Sequence, residues 1–215
     1  MYPLDRGLMV LNAALPEKAS DRVVDWPLGR RNRSLFELYR SCFGPHIRGQ
    51  YSCAQCAEPM EFAIDVCDLM DGGQSTGQNV MFRDQVFRLP TSRDLAAVID
   101  ANDAYTAATQ LLRRCAISGY DASVWPDEEV EAIGQALADS DPMAETRLAL
   151  RCPSCGHESD EVLDIAGFVW AEIESRAKRS LYEVHLLASA YGWTEAEVLS
   201  LSAARRASYL RMVQA

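Results

Sequence analysis

Apolar residues recur at intervals of three and four along much of the last third of the chain. From Ile165 to Tyr191 they mark one face of a helix of about 25 residues. Gly192 supplies a C-terminal stop, and the capping-box pair Thr194 and Glu197 predicts a short helix behind it. Another helix is predicted after Ser202. The C-terminal part is therefore expected to be a helical bundle.

Two short stretches alternate apolar and polar residues, and each adjoins a pair of cysteines. Residues 59–66 follow the sequence Cys53-Ala-Gln-Cys56, and residues 146–151 precede Cys152-Pro-Ser-Cys155. Alternation with a period of two residues predicts strands, and one more strand is predicted over residues 79–89. Each cysteine pair is thus expected to lie beside a strand.

Helix start signals dominate the region between the two cysteine pairs. Thr91 and Asp94 stand in capping-box register, and residues 104–116 continue with a helical pattern. Pro126 is followed by three acidic residues, which is the favoured order at the beginning of a helix. The pattern predicts a small array of helices.

The four paired cysteines, Cys53, Cys56, Cys152 and Cys155, offer the soft thiolates that a structural zinc ion prefers. The gap of two residues lets both sulfurs of a pair reach one ion from a single tight turn. Compact zinc ribbons place about 15 to 20 residues between their pairs, whereas 95 residues separate Cys56 from Cys152. Because the cost of loop closure grows only logarithmically with length, an insert whose ends return together is tolerable. One structural zinc ion is therefore predicted.

Details of the two pairs differ and leave alternatives open. Gly156 follows the second pair where such a turn often needs a positive φ, whereas Ala57 follows the first, so the second turn is expected to be the better formed. The four cysteines could instead be reduced core residues or a redox pair. His157 could also replace one thiolate as a zinc ligand.

The N-terminal 34 residues hold three prolines and apolar residues without a sustained period, which predicts an extended arm. Ser34 and Glu37 then predict the start of a helix. We therefore expect an α+β fold with zinc-ribbon-like β-hairpins. Its predicted parts are the arm 1–34, the first cysteine pair and strands 35–90, an acidic helical insert 91–145, and the second pair with C-terminal helices 146–215.

Charge and composition narrow the choice of function. The formal net charge is −10, and residues 91–145 alone carry 11 acidic and 3 basic residues. A protein that grips nucleic acid normally has a basic surplus, which this chain lacks. No apolar run approaches the length of a membrane span, and an odd count of seven cysteines argues against a disulfide framework, so a soluble intracellular protein is expected.

No set of residues in the sequence indicates catalysis. The only histidines are His46, His157 and His185, and His185 is predicted to be a core residue on the apolar side of the long helix. No nucleophile with a base and no pair of acids is evident, and a zinc ion with four thiolates leaves no position for water. The predicted zinc ion is therefore structural.

Several strings of residues, spread over residues 35–213, carry a family resemblance. They include the first cysteine pair with Phe62 and Asp65-Val66, and further Phe43-Gly44-Pro45, Leu89-Pro90-Thr91-Ser92-Arg93-Asp94-Leu95, Leu148-Ala149-Leu150-Arg151-Cys152-Pro153-Ser154-Cys155-Gly156-His157, Asp164-Ile165, Phe168-Val169-Trp170-Ala171-Glu172-Ile173, Glu183-Val184-His185-Leu186-Leu187-Ala188, Tyr191-Gly192-Trp193 and Glu197-Val198-Leu199. In these strings the chain resembles the baseplate hub subunit or hub assembly chaperone family of T-even-type phages, which has relatives in bacterial contractile injection systems.

The resemblance implies a protein that builds or completes the central hub of a contractile tail through protein contacts and without catalysis. It implies hub or spike proteins as partners, and a location in the cytoplasm during assembly or in the finished baseplate. Neither nucleic acid nor a membrane is an expected partner. A regulatory zinc ribbon that binds nucleic acid is the alternative, and a zinc enzyme, which needs an open coordination position, is a third hypothesis.

Overall fold

A computed structural model of the chain describes residues 3–15, 22–71, 73, 79–117 and 125–214. It divides into two compact units, residues 1–169 and 170–215. The helices and strands, in chain order, are α1 (Pro3–Ala14), α2 (Leu28–Phe43), β1 (His46–Ser52), β2 (Pro59–Asp65), α3 (Val66–Met70), β3 (Val80–Phe82), β4 (Gln85–Phe87), α4 (Ser92–Val98), α5 (Ala104–Cys115), α6 (Asp127–Ser140), β5 (Arg147–Arg151), β6 (Glu158–Val162), α7 (Ile165–Tyr191), α8 (Glu195–Ser200) and α9 (Ala203–Gln214). The strands form three separate antiparallel hairpins, β1–β2, β3–β4 and β5–β6. This mixture of helices and short hairpins confirms the α+β class.

Residues 3–14 form the helix α1 and α2 begins at Leu28, so the prediction of an extended arm over residues 1–34 was wrong. Residues 1–2 and 16–21 of the predicted arm lie outside the described residues. The first helix, α1, buries Val10 and Leu11. A Cβ on Gly7 would lie 3.4 Å from a methyl carbon of Leu35 in α2, which shows how closely the two helices approach. Helices of this length gain most of their stability from tertiary packing rather than from the helix propensity of their residues. That packing is not visible in the local sequence.

The second helix begins at Leu28, six residues before the predicted start at Ser34. Its first turn is capped by a residue distant in the sequence, because the backbone amide of Gly29 donates to Oδ2 of Asp141 over 2.9 Å. Asp141 is buried, and a Cβ on Gly29 would lie only 1.9 Å from its other oxygen, so only glycine fits here. Ser34 is a capping candidate in the local sequence, whereas the observed cap, Asp141, lies at the end of α6 and is distant in the sequence.

The end of the insert returns to the same helix. Nδ2 of Asn32 donates to the backbone oxygens of Met143 and Ala144, over 2.9 and 3.0 Å. Together with the Asp141 cap, these bonds hold residues 141–144 against the start of α2. The residues that lead into β5 are therefore held beside the start of α2.

The inserted region has its own hydrophobic core, and it begins earlier than the predicted boundary at residue 91. The predicted strand over residues 79–89 is the hairpin β3–β4, with Arg83 in its turn at a φ of 52°. This hairpin packs with α5 and α6 around buried side chains, namely Val80, Phe87, Leu89, Leu112, Cys115, Trp125, Val130, Ile133 and Leu137. Residues 118–124 of the predicted insert lie outside the described residues.

A buried carboxylate joins α4 to its neighbours. Asp94 completes the predicted capping box with Thr91, and it is only 1 % exposed. It also accepts two hydrogen bonds from Arg88, over 2.6 and 2.9 Å, and one from Arg114 over 3.0 Å. Burial alone would raise the pKa of Asp94, but the bonds from Arg88 and Thr91 outweigh it and lower the pKa to about 2. The capping box was predicted, whereas the two arginine partners were not.

The second unit comprises the larger part of α7 with α8 and α9. Among its described residues, only Leu187 and Val198 are buried. Tyr191, Trp193 and Tyr209 form a cluster of rings with centroids 4.8 to 5.7 Å apart. His185 is exposed, which corrects its prediction as a core residue. The middle of α7 lacks the cover that the apolar period led us to expect.

Candidate metal centre

Each cysteine pair forms the tip of a β-hairpin. Strands β1 and β2 pair from His46 opposite Asp65 to Ser52 opposite Pro59, and Cys53 follows directly after Ser52. Strands β5 and β6 pair in the same way, with Cys152 directly after β5. The sequence predicted one strand beside each pair, and the structure places a strand on both sides of each.

The two tips have the same backbone hydrogen bonds. In the first, the amide of Cys53 donates to the oxygen of Glu58 over 2.9 Å, and the amide of Ala57 donates to the oxygen of Cys53 over 2.8 Å. In the second, the amide of Cys152 donates to His157 over 2.8 Å, and that of Gly156 donates to Cys152 over 2.9 Å. The hairpins are therefore an internal repeat that the sequence shows only in its cysteines.

The residue after each pair adopts a left-handed conformation. Gly156 has a φ of 75°, as its position in the sequence predicted, and Ala57 has a φ of 60°. Such a φ costs an alanine about 1 to 2 kcal/mol relative to the right-handed region. The first tip therefore reaches the same geometry as the second, but with a strained residue.

The four sulfurs converge on one point. Sγ of Cys53 lies 3.6 Å from Sγ of Cys155, and Sγ of Cys56 lies 3.6 Å from Sγ of Cys152. All four sulfurs are within 4.8 Å of one another. Disulfide sulfurs would be about 2.05 Å apart, so no such bond is present. Around a tetrahedral ion with metal–sulfur bonds of about 2.3 Å, sulfurs are separated by about 3.8 Å, so the cluster fits a tetrathiolate metal site.

The two cysteines of each pair differ in burial, and they differ in the same way in both hairpins. Cys53 and Cys152, the first residues of each pair, are buried, whereas Cys56 and Cys155 are exposed. His157 is not a member of the group of potential ligands. Its backbone oxygen instead accepts the hydrogen bond that closes the second tip. The alternative of His157 as a ligand therefore has no support in the geometry of the cluster.

The electrostatics of the cluster favour a bound cation. Hydrogen bonding from the backbone of Cys56 lowers the pKa of Cys53 to about 6. For Cys56 a bond from the backbone of Glu58 acts in the same direction, but contacts with the other thiols and burial raise its pKa to about 12. Neighbouring thiolates disfavour one another's ionisation. Four thiolates at this separation therefore need a positive ion among them.

The first hairpin contacts both the second hairpin and α7. The hydroxyl of Tyr51 in β1 donates to Oε1 of Glu161 in β6 over 2.5 Å, and this bond raises the pKa of Tyr51. In the face of the first hairpin, Phe62 lies opposite Gly49 and meets Phe168 of α7 edge-on, with centroids 6.3 Å apart. A Cβ on Gly49 would lie 2.5 Å from the ring of Phe62, so the glycine makes room for this contact. Sequence reasoning missed these contacts, because they join residues about a hundred positions apart.

The surface of the hairpins carries no basic excess. Residues 46–65 and 147–162 together contain three basic and six acidic residues. Arg147 pairs with Asp160 across the second hairpin over 2.6 Å, and Arg151 lies 3.9 Å from Glu158. The basic residues of this hairpin are thus partly neutralised within it.

No protein-family model, curated protein or solved structure matches this chain. Within the part of the chain that the structure describes, no helix combines the length and apolar character needed to cross a membrane. The function is therefore inferred from the geometry of the site and from the residues of the sequence.

Proposed function

We propose that this protein is a non-catalytic component or assembly factor of the baseplate hub of a contractile phage tail or contractile injection system. The family resemblance of the strings between Phe43 and Leu199 carries the proposal. The tetrathiolate cluster supports its non-catalytic part, because four protein sulfurs leave no open coordination position for substrate or water. The role is then to bind other proteins of the hub.

Zinc is the metal that we assign to Cys53, Cys56, Cys152 and Cys155. Zinc accepts tetrahedral coordination by four thiolates without a redox change, and the sulfur separations of 3.6 Å suit its bond length. The ion would join two hairpins that lie on either side of a long insert. Its contribution is to folding, since the binding energy of such sites is available only in the folded state.

A zinc ribbon that binds nucleic acid is the less favoured function. Such a protein gains most of its affinity from lysine and arginine contacts with phosphates. The two hairpins carry twice as many acidic as basic residues, and the insert adds a net charge of −8. This distribution would repel a polyanion.

We assign the contact surface for hub proteins to the exposed apolar residues of α8 and α9. Leu199 is 46 % exposed and Met212 is 67 % exposed. Met and aromatic side chains are enriched at the centres of protein interfaces. The N-terminal region is a poor candidate for a free binding arm, because Val10, Leu11, Trp26 and Leu28 are buried. Removal of residues 1–34 would damage the fold rather than a separate contact.

The test is co-purification of the chain with hub and spike proteins encoded beside it. We expect a defined complex, and we expect Met212→Glu to weaken it. Ala203→Glu is the matched control, because Ala203 is exposed and lies nine residues earlier, on the opposite side of α9. Absence of any complex with purified hub and spike proteins would refute the function. Equal binding by both variants would refute the surface, and salt-sensitive binding to duplex DNA would favour the alternative.

A further inference from the structure

The middle of α7 is a helix segment that the described residues of the chain leave uncovered. Of residues 171–179 only Glu172 is partly buried. Ile173 is 37 % exposed, Leu181 is 61 % exposed and Tyr182 is 58 % exposed. Large apolar side chains are costly to leave in water, at about 25 cal/mol for each Å². This segment therefore has the character of a surface that another molecule covers.

Three apolar residues of the segment lie along one face, whereas Tyr182 lies on the other side of the helix. Ile173, Ala177 and Leu181 follow one another at steps of four residues, which keeps them within about 40° of each neighbour around the helix. Ala177 is the centre of this stripe, with one large apolar residue on each side at equal distance. A small residue between two large ones lets a second helix approach closely at the centre.

We propose that this face binds the same face of a second copy of the chain, with the two helices antiparallel and related by a two-fold axis at Ala177. Ile173 of each copy then lies against Leu181 of the other. Two such contacts are equivalent by symmetry, as in an isologous dimer. The proposal concerns self-association and does not depend on the function proposed above.

The charges beside the stripe favour the antiparallel arrangement. Glu174 and Lys178 lie on the same side of the stripe, and they are paired within the helix over 2.9 Å. In an antiparallel pair, Glu174 of each copy comes within reach of Lys178 of the other. In a parallel pair, Lys178 instead faces the side that carries Arg176, so like charges meet. Charge complementarity thus selects one orientation of the second copy.

The charge of the whole unit agrees with self-association. Residues 170–215 carry five acidic and six basic residues, whereas residues 1–169 carry 26 acidic and 15 basic residues. Two copies therefore meet with the least repulsion through the second unit. That unit also has the most to gain, because only Leu187 and Val198 are buried among its described residues.

The first experiment measures the mass of the full chain in solution over a range of concentrations. We expect a dimer that Leu181→Glu weakens by on the order of 100-fold in the dissociation constant, because two copies of the contact are lost. Ser175→Glu is the matched control, since Ser175 is exposed on the opposite face of the same helix and should leave the dimer intact. Circular dichroism verifies that both variants keep their helices.

The second experiment tests the orientation. Ile173→Cys and Leu181→Cys proteins are mixed and oxidised, and the disulfides are mapped by mass spectrometry. We expect cross-links between position 173 of one copy and position 181 of the other. Symmetric 173–173 links would overturn the antiparallel arrangement. A chain that is monomeric at about 1 mM, or a dimer that Leu181→Glu and Ser175→Glu affect equally, would overturn the proposal.

Discussion

Ala57 is the position where a single substitution should make the metal centre more stable. Its φ of 60° is held by the hydrogen bond from its amide to Cys53, so the backbone cannot relax without opening the tip. The side chain is exposed, and its loss therefore removes little packing. Ala57→Gly should relieve the strain while the first tip keeps its shape.

The magnitude follows from two opposing contributions. Relief of the left-handed alanine is worth about 1 to 2 kcal/mol, and the greater freedom of glycine in the unfolded chain costs about 0.5 to 1 kcal/mol. The expected net gain is about 0.5 to 1 kcal/mol in the free energy of unfolding. Gly156→Ala should have the opposite effect, because a Cβ at Gly156 meets no atom within 4 Å and only the backbone opposes it. The double variant should lie close to the unmodified protein.

The assay is urea denaturation in excess zinc, together with competition against a chelating dye for zinc affinity. Ala54→Gly provides the control, because Ala54 is exposed in the same turn and is not among the described non-glycine residues with positive φ. It should destabilise the protein by about 0.5 to 1 kcal/mol. If Ala57→Gly were as destabilising as Ala54→Gly, the left-handed strain at the first tip would not exist, and the equivalence of the two tips would fail with it.

Three further predictions concern the metal, the buried carboxylate and the insert. Cys152→Ser should abolish a zinc content of about one ion per chain, whereas Cys42→Ser, at an exposed cysteine outside the cluster, should retain it; metal analysis decides between them. Asp94→Asn should destabilise the protein by about 3 kcal/mol at pH 7, because it removes the buried negative charge that pairs with Arg88 and Arg114. The lowered pKa of Asp94 stabilises the fold above pH 4, so the advantage of the unmodified protein over this variant should shrink by about 2 kcal/mol as the pH falls from 4 to 2; an advantage that stayed constant would contradict the assigned pKa. Gly134→Ala in α6 should add about 1 kcal/mol of stability in thermal or urea unfolding, because an added Cβ meets no atom within 4 Å, and a loss of stability would contradict the open surface found there.

The parts of the fold that were predictable are those whose cause is local. Each of these features depends on residues within five positions of one another. They are the capping boxes at Thr91 and Thr194, the helix end at Gly192 and the spacing within each cysteine pair. The start of α2 depends instead on Asp141, which lies 112 residues from the amide that it caps. No local pattern at Leu28 could indicate that contact, and for the same reason α1 was mistaken for an extended arm.

The long helix shows a different limit of sequence reasoning. A period of three and four residues identifies the apolar face of a helix, but it does not identify the molecule that covers this face. In α7 one continuous period includes Ile165 and Val169, which are buried, and Leu181, which is 61 % exposed. The same apolar pattern is thus buried in one part of the helix and exposed in another. Beside the exposed part, Glu174 and Lys178 are placed so that they can pair with the same residues of an antiparallel second copy. An apolar face that the described residues leave uncovered is most simply explained by a contact with another molecule. The dimer experiment on Leu181 is therefore the direct test of this region.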